Sequence, residues 1–180
     1  MSKNIKLIIG STRQNRAGSA VAQWVEKHAQ TTGITLEIID LKELNLPTFD
    51  APVSPAYAPT ETEAGKAWAT QIVEADGIIF LTPEYNRSIP ASLKNAIDYL
   101  SSEWKEKPSA IVSYGYIDGG KGATNHLTDI LNWLKATAIE PKTSILLTQD
   151  MFDETGAFKD IDASFAPYAD TLQTALKQLA

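Results

Sequence analysis

Polar and basic side chains are concentrated in a ten-residue segment that follows a short apolar run near the start of the chain. The segment runs from Gly10 to Ser19 and contains hydroxyls, small residues and the guanidinium groups of Arg13 and Arg16. It precedes a predicted helix, whose free N–H groups and dipole favour an anion at that end. Arg13 can bind phosphate through two parallel hydrogen bonds, and Ser11 or Ser19 can supply shorter donors. The segment predicts a phosphate site, with a helix cap and solvated arginines as the alternative.

A second polar segment combines an aromatic ring, an amide and two prolines. It reads Thr82-Pro83-Glu84-Tyr85-Asn86-Arg87-Ser88-Ile89-Pro90 and runs into a helical pattern. The prolines stiffen the loop, so that its backbone and the Tyr85 ring can be held in place as a flat heteroaromatic ligand requires. The alternative interpretation is a turn that carries a surface tyrosine.

A third segment, residues 113–122, nearly matches the phosphate-binding pattern G-x-x-x-x-G-K-[ST] from Gly115 onward. Gly122 stands where that pattern needs a hydroxyl for magnesium. The segment also follows the fourth predicted strand, whereas another anion site is already predicted after the first. A nucleoside triphosphatase is therefore disfavoured.

Five short apolar runs connect these segments and predict β-strands. They are Ile5 to Ile9, Leu36 to Asp40, Gly77 to Leu81, Ala110 to Tyr114 and Thr143 to Leu147. Most are apolar at successive residues, which is typical of strands that are buried on both faces of a parallel sheet. Helical patterns with apolar residues at three- and four-residue steps alternate with them, at residues 17–28, 64–75, 93–100, 127–134 and 165–176.

This alternation predicts an α/β fold, a doubly wound five-stranded parallel sheet of order 2-1-3-4-5 with helices on both faces. Ligands bind such sheets outside the carboxyl ends of the strands, at the switch point between strands one and three. The three polar segments meet at this edge. The proline-rich residues 47–59 predict an excursion before the second helix rather than a linker.

The composition limits the classes of function. A chain of 180 residues is the size of one domain, residues 1–180. The formal charge of -6 disfavours a nucleic-acid binder, and the absence of cysteine means that redox chemistry would need a bound cofactor. The N-terminal residues show no cleavable signal pattern and no apolar stretch is long enough to span a membrane, so we expect a cytoplasmic protein.

The histidines and tryptophans are predicted to be structural. His28 and His126 have no partner at metal-ligand spacing, so we expect no metal site. The four tryptophans fall mainly on helical faces and indicate core or interface positions; they are Trp24, Trp68, Trp104 and Trp133.

Three stretches resemble the NADPH-dependent FMN reductase family, whose relatives include quinone, azo and chromate reductases. The stretches are Gly10-Ser11-Thr12-Arg13, Pro83-Glu84-Tyr85-Asn86 and Ser92-Leu93-Lys94-Asn95-Ala96-Ile97-Asp98. The resemblance extends roughly from the first strand through the fourth helix. It implies a flavodoxin-like fold, FMN as the bound cofactor and NADPH or NADH as the co-substrate.

The resemblance also implies which residues bind FMN. Ser11, Arg13 and Ser19 would hold the phosphate, with Arg16 as a further contact beside Gly18. The isoalloxazine edge would be lined, chiefly by backbone groups, by Pro83, Glu84, Tyr85 and Asn86. Ser113, Gly115 and the Gly119-Gly120 pair would let the backbone approach the ring. Because the flavin itself performs the chemistry, no catalytic side chain is predicted and Glu84 is expected to be structural.

The activity so implied is hydride transfer from nicotinamide to FMN and onward reduction of a flavin, quinone or azo compound. The alternative is a flavodoxin-like electron carrier that does not itself oxidise NAD(P)H, and a third candidate is an interaction domain without a cofactor. The resemblance further implies a homodimer or homotetramer, with the third helix and residues 47–59 as contacts.

Overall fold

All strands in the computed structural model, which describes residues 3–180, run parallel in one sheet. The strands are β1 (Asn4–Ile9), β2 (Thr35–Asp40), β3 (Gly77–Pro83), β4 (Pro108–Gly115), β5 (Thr137–Ala138) and β6 (Thr143–Leu146). Their order is β2-β1-β3-β4-β5, and β6 also pairs with β4. The predicted order 2-1-3-4-5 and the flavodoxin-like fold class are confirmed.

The fifth position of the sheet is divided between two strands, which the sequence did not predict. β5 pairs with the start of β4, where Pro108 lies opposite Thr137. β6 pairs with the end of β4, where Val112 lies opposite Thr143. Pro141 lies between the two strands and has no N–H to donate to a ladder, which accounts for the interruption.

Seven α-helices connect and cover the described strands. They are α1 (Gly18–Ala29), α2 (Leu41–Leu44), α3 (Glu63–Val73), α4 (Ala91–Asp98), α5 (Lys121–Trp133), α6 (Ile161–Phe165) and α7 (Ala169–Leu179). The sequence patterns predicted five helices. The short α2, which is one turn long, was not predicted, and the last predicted helix is divided into α6 and α7. Pro167 lies in the 3-10 turn of residues 166–168 between α6 and α7, where a proline interrupts regular helical hydrogen bonding.

Two hydrophobic cores lie on opposite faces of the sheet. One contains side chains of α1, α6 and α7, including Trp24 and Phe165. The other contains side chains of α3, α4 and α5, including Trp68 and Leu127. Alternate residues of the buried strands enter the two cores, so the sheet is covered on both sides as its continuous apolar runs predict.

The excursion of residues 47–59 rests against α4. The Asn95 side-chain amide donates to the Pro47 carbonyl at 2.8 Å and its oxygen accepts from the Phe49 N–H, also at 2.8 Å. Tyr99 donates its hydroxyl to the same carbonyl of Pro47 at 3.0 Å. Further along, the Tyr57 side chain is 88% exposed.

Within residues 3–180, no helix combines the length and the apolar composition that crossing a membrane requires.

Candidate functional site

A cavity of about 790 Å³ opens at the carboxyl edge of the sheet, beside the N-terminus of α1. This volume lies in the range of small-molecule sites. The loop after β1 is fixed by the Gly10 N–H, which donates to the Leu81 carbonyl at 2.8 Å, and by the Ser92 hydroxyl, which donates to the Gly10 carbonyl at 2.6 Å. The lining residues named in the sequence prediction are Ser11, Arg13, Arg16, Ser19, Pro83 and Tyr85.

The Arg16 guanidinium is held at one edge and free at the other. Its Nη2 atom donates to the Asp40 carboxylate at the end of β2, and only 10% of the side chain is exposed. No described residue accepts a hydrogen bond from Nε or Nη1, although both atoms are buried. Buried donors of this kind are costly unless a ligand or water accepts from them, so the free edge of Arg16 indicates an anion site.

Tyr114 places a second unpaired polar group in the same cavity. It lies near the end of β4 and is 5% exposed, and its hydroxyl makes no hydrogen bond of standard distance and angle in the described part of the chain, although the Ser11 hydroxyl lies close to it. Burial raises the pKa of this hydroxyl above its ordinary value, with a further contribution from Tyr85. The sequence prediction placed Tyr114 at the end of a strand and within the third polar segment but did not name it as a site residue.

A hydrogen bond joins the first two polar segments inside the cavity. Ser11 is fully buried, and its Oγ lies 2.7 Å from the Tyr85 Oη. The Arg13 guanidinium carbon lies 6.0 Å from the centre of the Tyr85 ring. The loop after β1 and the loop after β3 therefore form one wall.

The loop after β3 is a tight turn. Tyr85 and Ser88 exchange backbone hydrogen bonds of 2.9 and 3.0 Å, and Asn86 and Arg87 between them have φ angles of 50° and 65°. The Glu84 N–H continues the sheet by donating to the Tyr114 carbonyl at 3.1 Å. The turn thus holds Tyr85 at the edge of the cavity.

Charged side chains tie this turn to the loop after β4. Arg87 donates to Glu84 at 3.2 Å and to Asp118 at 2.7 Å. Glu84 also accepts from the Ala123 N–H at the start of α5, at 3.1 Å. A Cβ at Gly122 would lie 2.8 Å from a Glu84 carboxylate oxygen, so the glycine that breaks the triphosphatase pattern is also the one that makes room for this contact.

The loop after β4 is shaped by glycines over a layer of hydroxyls. Gly119 has a φ of 76°, and a Cβ there would lie 2.8 Å from the backbone of Ser144. The Ser113 hydroxyl donates to the Gly119 carbonyl at 2.8 Å, and the Thr124 hydroxyl lies 2.8 Å from that of Ser113. A Cβ at Gly115 would face the Gly120 N–H at 3.2 Å. These contacts with β4 and α5 fix the shape of the loop.

The remaining predicted site residues do not line this cavity. Gly18 begins α1, Ser113 and Gly115 end β4, Glu84 and Asn86 lie in the turn after β3, and Gly119 lies in the loop after β4. The opposite wall was not predicted. It includes a hairpin in which Phe152 and Phe158 form an antiparallel bridge and their ring centres lie 4.5 Å apart. Tyr116 lies 6.3 Å from Phe152, centre to centre. The available signal was two aromatic residues, Phe152 and Phe158, that follow the end of β6.

The two histidines lie outside this cavity. The His28 ring contacts Trp24 and its Nδ1 lies 2.9 Å from the Trp24 carbonyl oxygen. His126 Nδ1 lies 2.6 Å from the Ser88 hydroxyl. Of the predicted structural tryptophans, Trp133 is 85% exposed, whereas Trp24, Trp68 and Trp104 are buried.

The cavity thus has a cationic end and an aromatic end. Arg13, Arg16 and the free N–H groups of the first turn of α1 mark the cationic end. Tyr85, Tyr116 and the hairpin of residues 152–158 mark the aromatic end. These residues fit a ligand that has a phosphate at one end and a flat ring at the other.

Comparison with known proteins gives a matching family model, described as NADPH-dependent FMN reductase, over residues 4–148. An NAD(P)H-dependent FMN reductase from Nectria sp is 39% identical over 150 residues, covering 79% of this chain and 74% of the relative. A quinone reductase from Pseudomonas putida is 33% identical over 165 residues, covering 87% of this chain and 85% of the relative.

A solved structure with the same fold is the flavoenzyme NAD(P)H:(acceptor) oxidoreductase FerB from Paracoccus denitrificans. The TM-score is 0.74 at 22% sequence identity, and the superposition covers 98% of both chains. At this level of identity the likeness concerns the arrangement of the strands and helices.

Proposed function

The chain belongs to the NADPH-dependent FMN reductase family, and from this membership we propose that its whole length forms one domain built around bound FMN. The reaction is an NAD(P)H-dependent oxidoreduction of flavins or quinones. The observation that carries the assignment to this cavity is the buried, half-unpaired guanidinium of Arg16 at the N-terminus of α1. A buried cation with free donors needs an anionic ligand.

The phosphate of FMN would occupy the cationic end of the cavity. Arg13 and the free edge of Arg16 would supply charge-assisted hydrogen bonds, and Ser11 and Ser19 would supply hydroxyls. Gly18 begins α1, whose first free N–H groups add to the attraction for an anion.

The isoalloxazine ring would lie between the turn after β3 and the loop after β4. Pro83, Glu84, Tyr85 and Asn86 would border one edge, chiefly through their backbone. Gly115 and Gly119 would shape the other edge, supported by the Ser113 hydroxyl. The Glu84 carboxylate is already bonded to Arg87 and to the start of α5, which supports a structural role for this side chain.

The residues named above would hold FMN, which would supply the hydride-accepting and electron-transferring chemistry between NAD(P)H and the acceptor. The residues of the chain orient the reactants and shield them from water. Tyr85 and Tyr116 flank the cavity, and the Phe152 and Phe158 rings exclude water from its opposite side. Orientation of this kind supplies much of what hydride transfer requires, and no side chain is assigned as a general acid.

Flat electron acceptors suit the aromatic end of the cavity. A quinone is the favoured acceptor, because relatives from Pseudomonas putida and from Burkholderia sp are a quinone reductase and a 2-hydroxy-1,4-benzoquinone reductase. A free flavin or an azo compound has the same flatness. We place the protein in the cytoplasm, where reduced nicotinamides are regenerated.

The proposed assembly is a homodimer or homotetramer that uses α4 and residues 47–59. Tyr57 is 88% exposed, and Trp133 of α5 is 85% exposed and lines a groove together with Pro55 and residues of α4. Large exposed aromatic side chains favour contact with another chain. Sedimentation of the purified protein measures the state directly.

An anaerobic titration tests the proposed activity. The FMN-loaded protein is mixed with stoichiometric NADPH or NADH, and the flavin absorbance is recorded before a neutral quinone is added. Bleaching by a nicotinamide and recovery on addition of the quinone support the proposal. A yellow protein that neither nicotinamide bleaches would be an electron carrier, and a protein that does not retain FMN would be an interaction domain.

A further inference from the structure

Two unpaired polar groups, from different elements of the fold, share the cationic end of the cavity. One is the free edge of the Arg16 guanidinium, which comes from the loop after β1. The other is the Tyr114 hydroxyl, which comes from β4. Both side chains are at least nine-tenths buried, so water has little access to either group. A single ligand that accepts from both would satisfy them together.

The Tyr114 hydroxyl lies over the first turn of α1. A Cβ built on Gly18, the first residue of that helix, would come within 2.8 Å of the Tyr114 Oη. The missing side chain of Gly18 therefore leaves space that the hydroxyl occupies. The hydroxyl is thereby placed beside the N–H groups of the first helical turn, which have no carbonyl partner within the helix.

We infer that Tyr114 is a ligand of the cofactor phosphate, donating its hydroxyl hydrogen to a phosphate oxygen between Arg16 and the N-terminus of α1. This inference rests on the proposed function and names a residue of the same site. It also assigns a role to Gly18, which makes room for the hydroxyl. The pocket selects FMN over riboflavin, which has the same ring system but ends in a hydroxyl.

Tyr114 keeps its proton in this environment. Burial raises its pKa, Tyr85 adds to the rise, and Ser11, Arg16 and Arg13 act in the opposite direction. The net direction is upward, so the hydroxyl stays protonated and can donate a hydrogen bond at neutral pH. A donor suits a phosphate dianion, which offers only acceptor oxygens.

The test compares the affinities of FMN and riboflavin for the full-length protein freed of flavin, measured by quenching of flavin fluorescence. Tyr114→Phe removes only the hydroxyl. It is expected to raise the Kd for FMN about ten- to a hundredfold, because a hydrogen bond to a charged group is lost, and to leave the Kd for riboflavin unchanged. The matched control is Tyr57→Phe, whose side chain is 88% exposed and does not line the cavity, and which should leave both affinities unchanged.

A second variant probes the same contact from the helix. Gly18→Ala should press on the Tyr114 hydroxyl and weaken FMN binding in the wild-type background. In the Tyr114→Phe background the added methyl group meets no hydroxyl, so the further loss should be much smaller. This non-additivity identifies a contact shared by the two residues.

An equal loss of affinity for FMN and riboflavin in Tyr114→Phe would make Tyr114 merely structural and overturn the inference. Unchanged affinity for FMN would overturn it as well. If Tyr114→Phe does not fold, equal losses of both flavins in Gly18→Ala would overturn it. Failure of the wild-type protein to bind either flavin would instead refute the proposed FMN site itself.

Discussion

The Ser11 Oγ and the Tyr85 Oη lie 2.7 Å apart, so one hydrogen bond connects the loop after β1 to the turn after β3. Ser11 is fully buried and Tyr85 belongs to the wall of the cavity. The two predicted ends of the cofactor site, one for phosphate and one for the ring, are thus coupled through side chains before any ligand is considered.

Replacing Tyr85 by phenylalanine should destabilise the protein, because the buried Ser11 hydroxyl loses its partner while the ring is kept. We expect the free energy of unfolding to fall by about 1 to 3 kcal/mol in urea denaturation of the flavin-free protein. The control is Tyr116→Phe, which removes a hydroxyl from a residue that is 66% exposed. It should change the free energy of unfolding by less than about 0.5 kcal/mol. Equal unfolding midpoints for the two variants would contradict a stabilising Ser11–Tyr85 bond.

Removal of the Arg13 side chain should weaken FMN binding. The Arg13→Ala change removes a charge-assisted hydrogen bond to the phosphate, and calorimetry should record a loss of about 1.5 to 3 kcal/mol in binding free energy. Lys27→Ala is the control, because it removes the same charge from an exposed ion pair with Asp162. An affinity for FMN equal to that of the wild type would mean that Arg13 does not bind the phosphate.

Two glycines with similar backbone angles should respond differently to alanine. Gly119 and Gly156 have φ angles of 76° and 82°, so either substitution places a side chain in the left-handed region at about 1 to 2 kcal/mol. Only at Gly119 would the new Cβ collide with the backbone of Ser144; at Gly156 no described atom lies within 4 Å. Gly119→Ala should therefore cost about 1 to 3 kcal/mol more in denaturation experiments and reduce FMN retention. Equal losses of stability in Gly119→Ala and Gly156→Ala would show that the loop after β4 can move to accommodate the methyl group.

The ion pair between Arg87 and Asp118 should make stability depend on pH in the acid range. The hydrogen bond from Arg87 lowers the pKa of Asp118 below its ordinary 3.8, and the Lys121 and Gly120 N–H groups lower it further. A lowered carboxyl pKa contributes stability above the unfolded value, and this contribution is lost as the pH falls through the folded value.

Asp118→Asn keeps an oxygen for the backbone N–H groups and removes the charge. Its melting temperature should lie below that of the wild type at pH 7, and the gap should close as the pH is lowered through 4 and below. A gap of constant size down to pH 3 would mean that the charge of Asp118 contributes nothing to stability.

The kinetics should be ping-pong, because the nicotinamide and the acceptor would use one stacking surface in turn. Tyr85 and Tyr116 border that surface without donating a proton. Double-reciprocal plots with varied quinone at several fixed NADPH concentrations should give parallel lines. Intersecting lines would require a ternary complex, and hence separate sites for the two substrates.

The sheet could be predicted from sequence because its strands are continuous apolar runs. β3 and most of β4 are buried along their length, so each run was visible by itself. The division of the fifth position into β5 and β6 was not visible, since it depends on which part of β4 each segment reaches. The four-residue α2 is shorter than any helical repeat pattern can reveal.

The polar residues that line the cavity could also be found from the sequence, because they follow strand ends that a parallel sheet must bring together; they are Ser11, Arg13, Arg16, Ser19 and Tyr85. Tyr114 could not be identified in this way, since the position of its hydroxyl follows from packing against Gly18, which is distant in sequence. The aromatic wall formed by Phe152 and Phe158 lies after the last predicted strand, in a segment to which the sequence prediction assigned no element and no role.

The match to the family model ends at residue 148, and the hairpin of residues 152–158 begins just beyond it. Every residue proposed to hold FMN lies before that point, whereas the hairpin supplies part of the opposite wall. The sequence of this hairpin can therefore change without altering any residue proposed to hold FMN. Exchanging these seven residues, 152–158, between relatives is therefore a small change by which the range of electron acceptors could diverge.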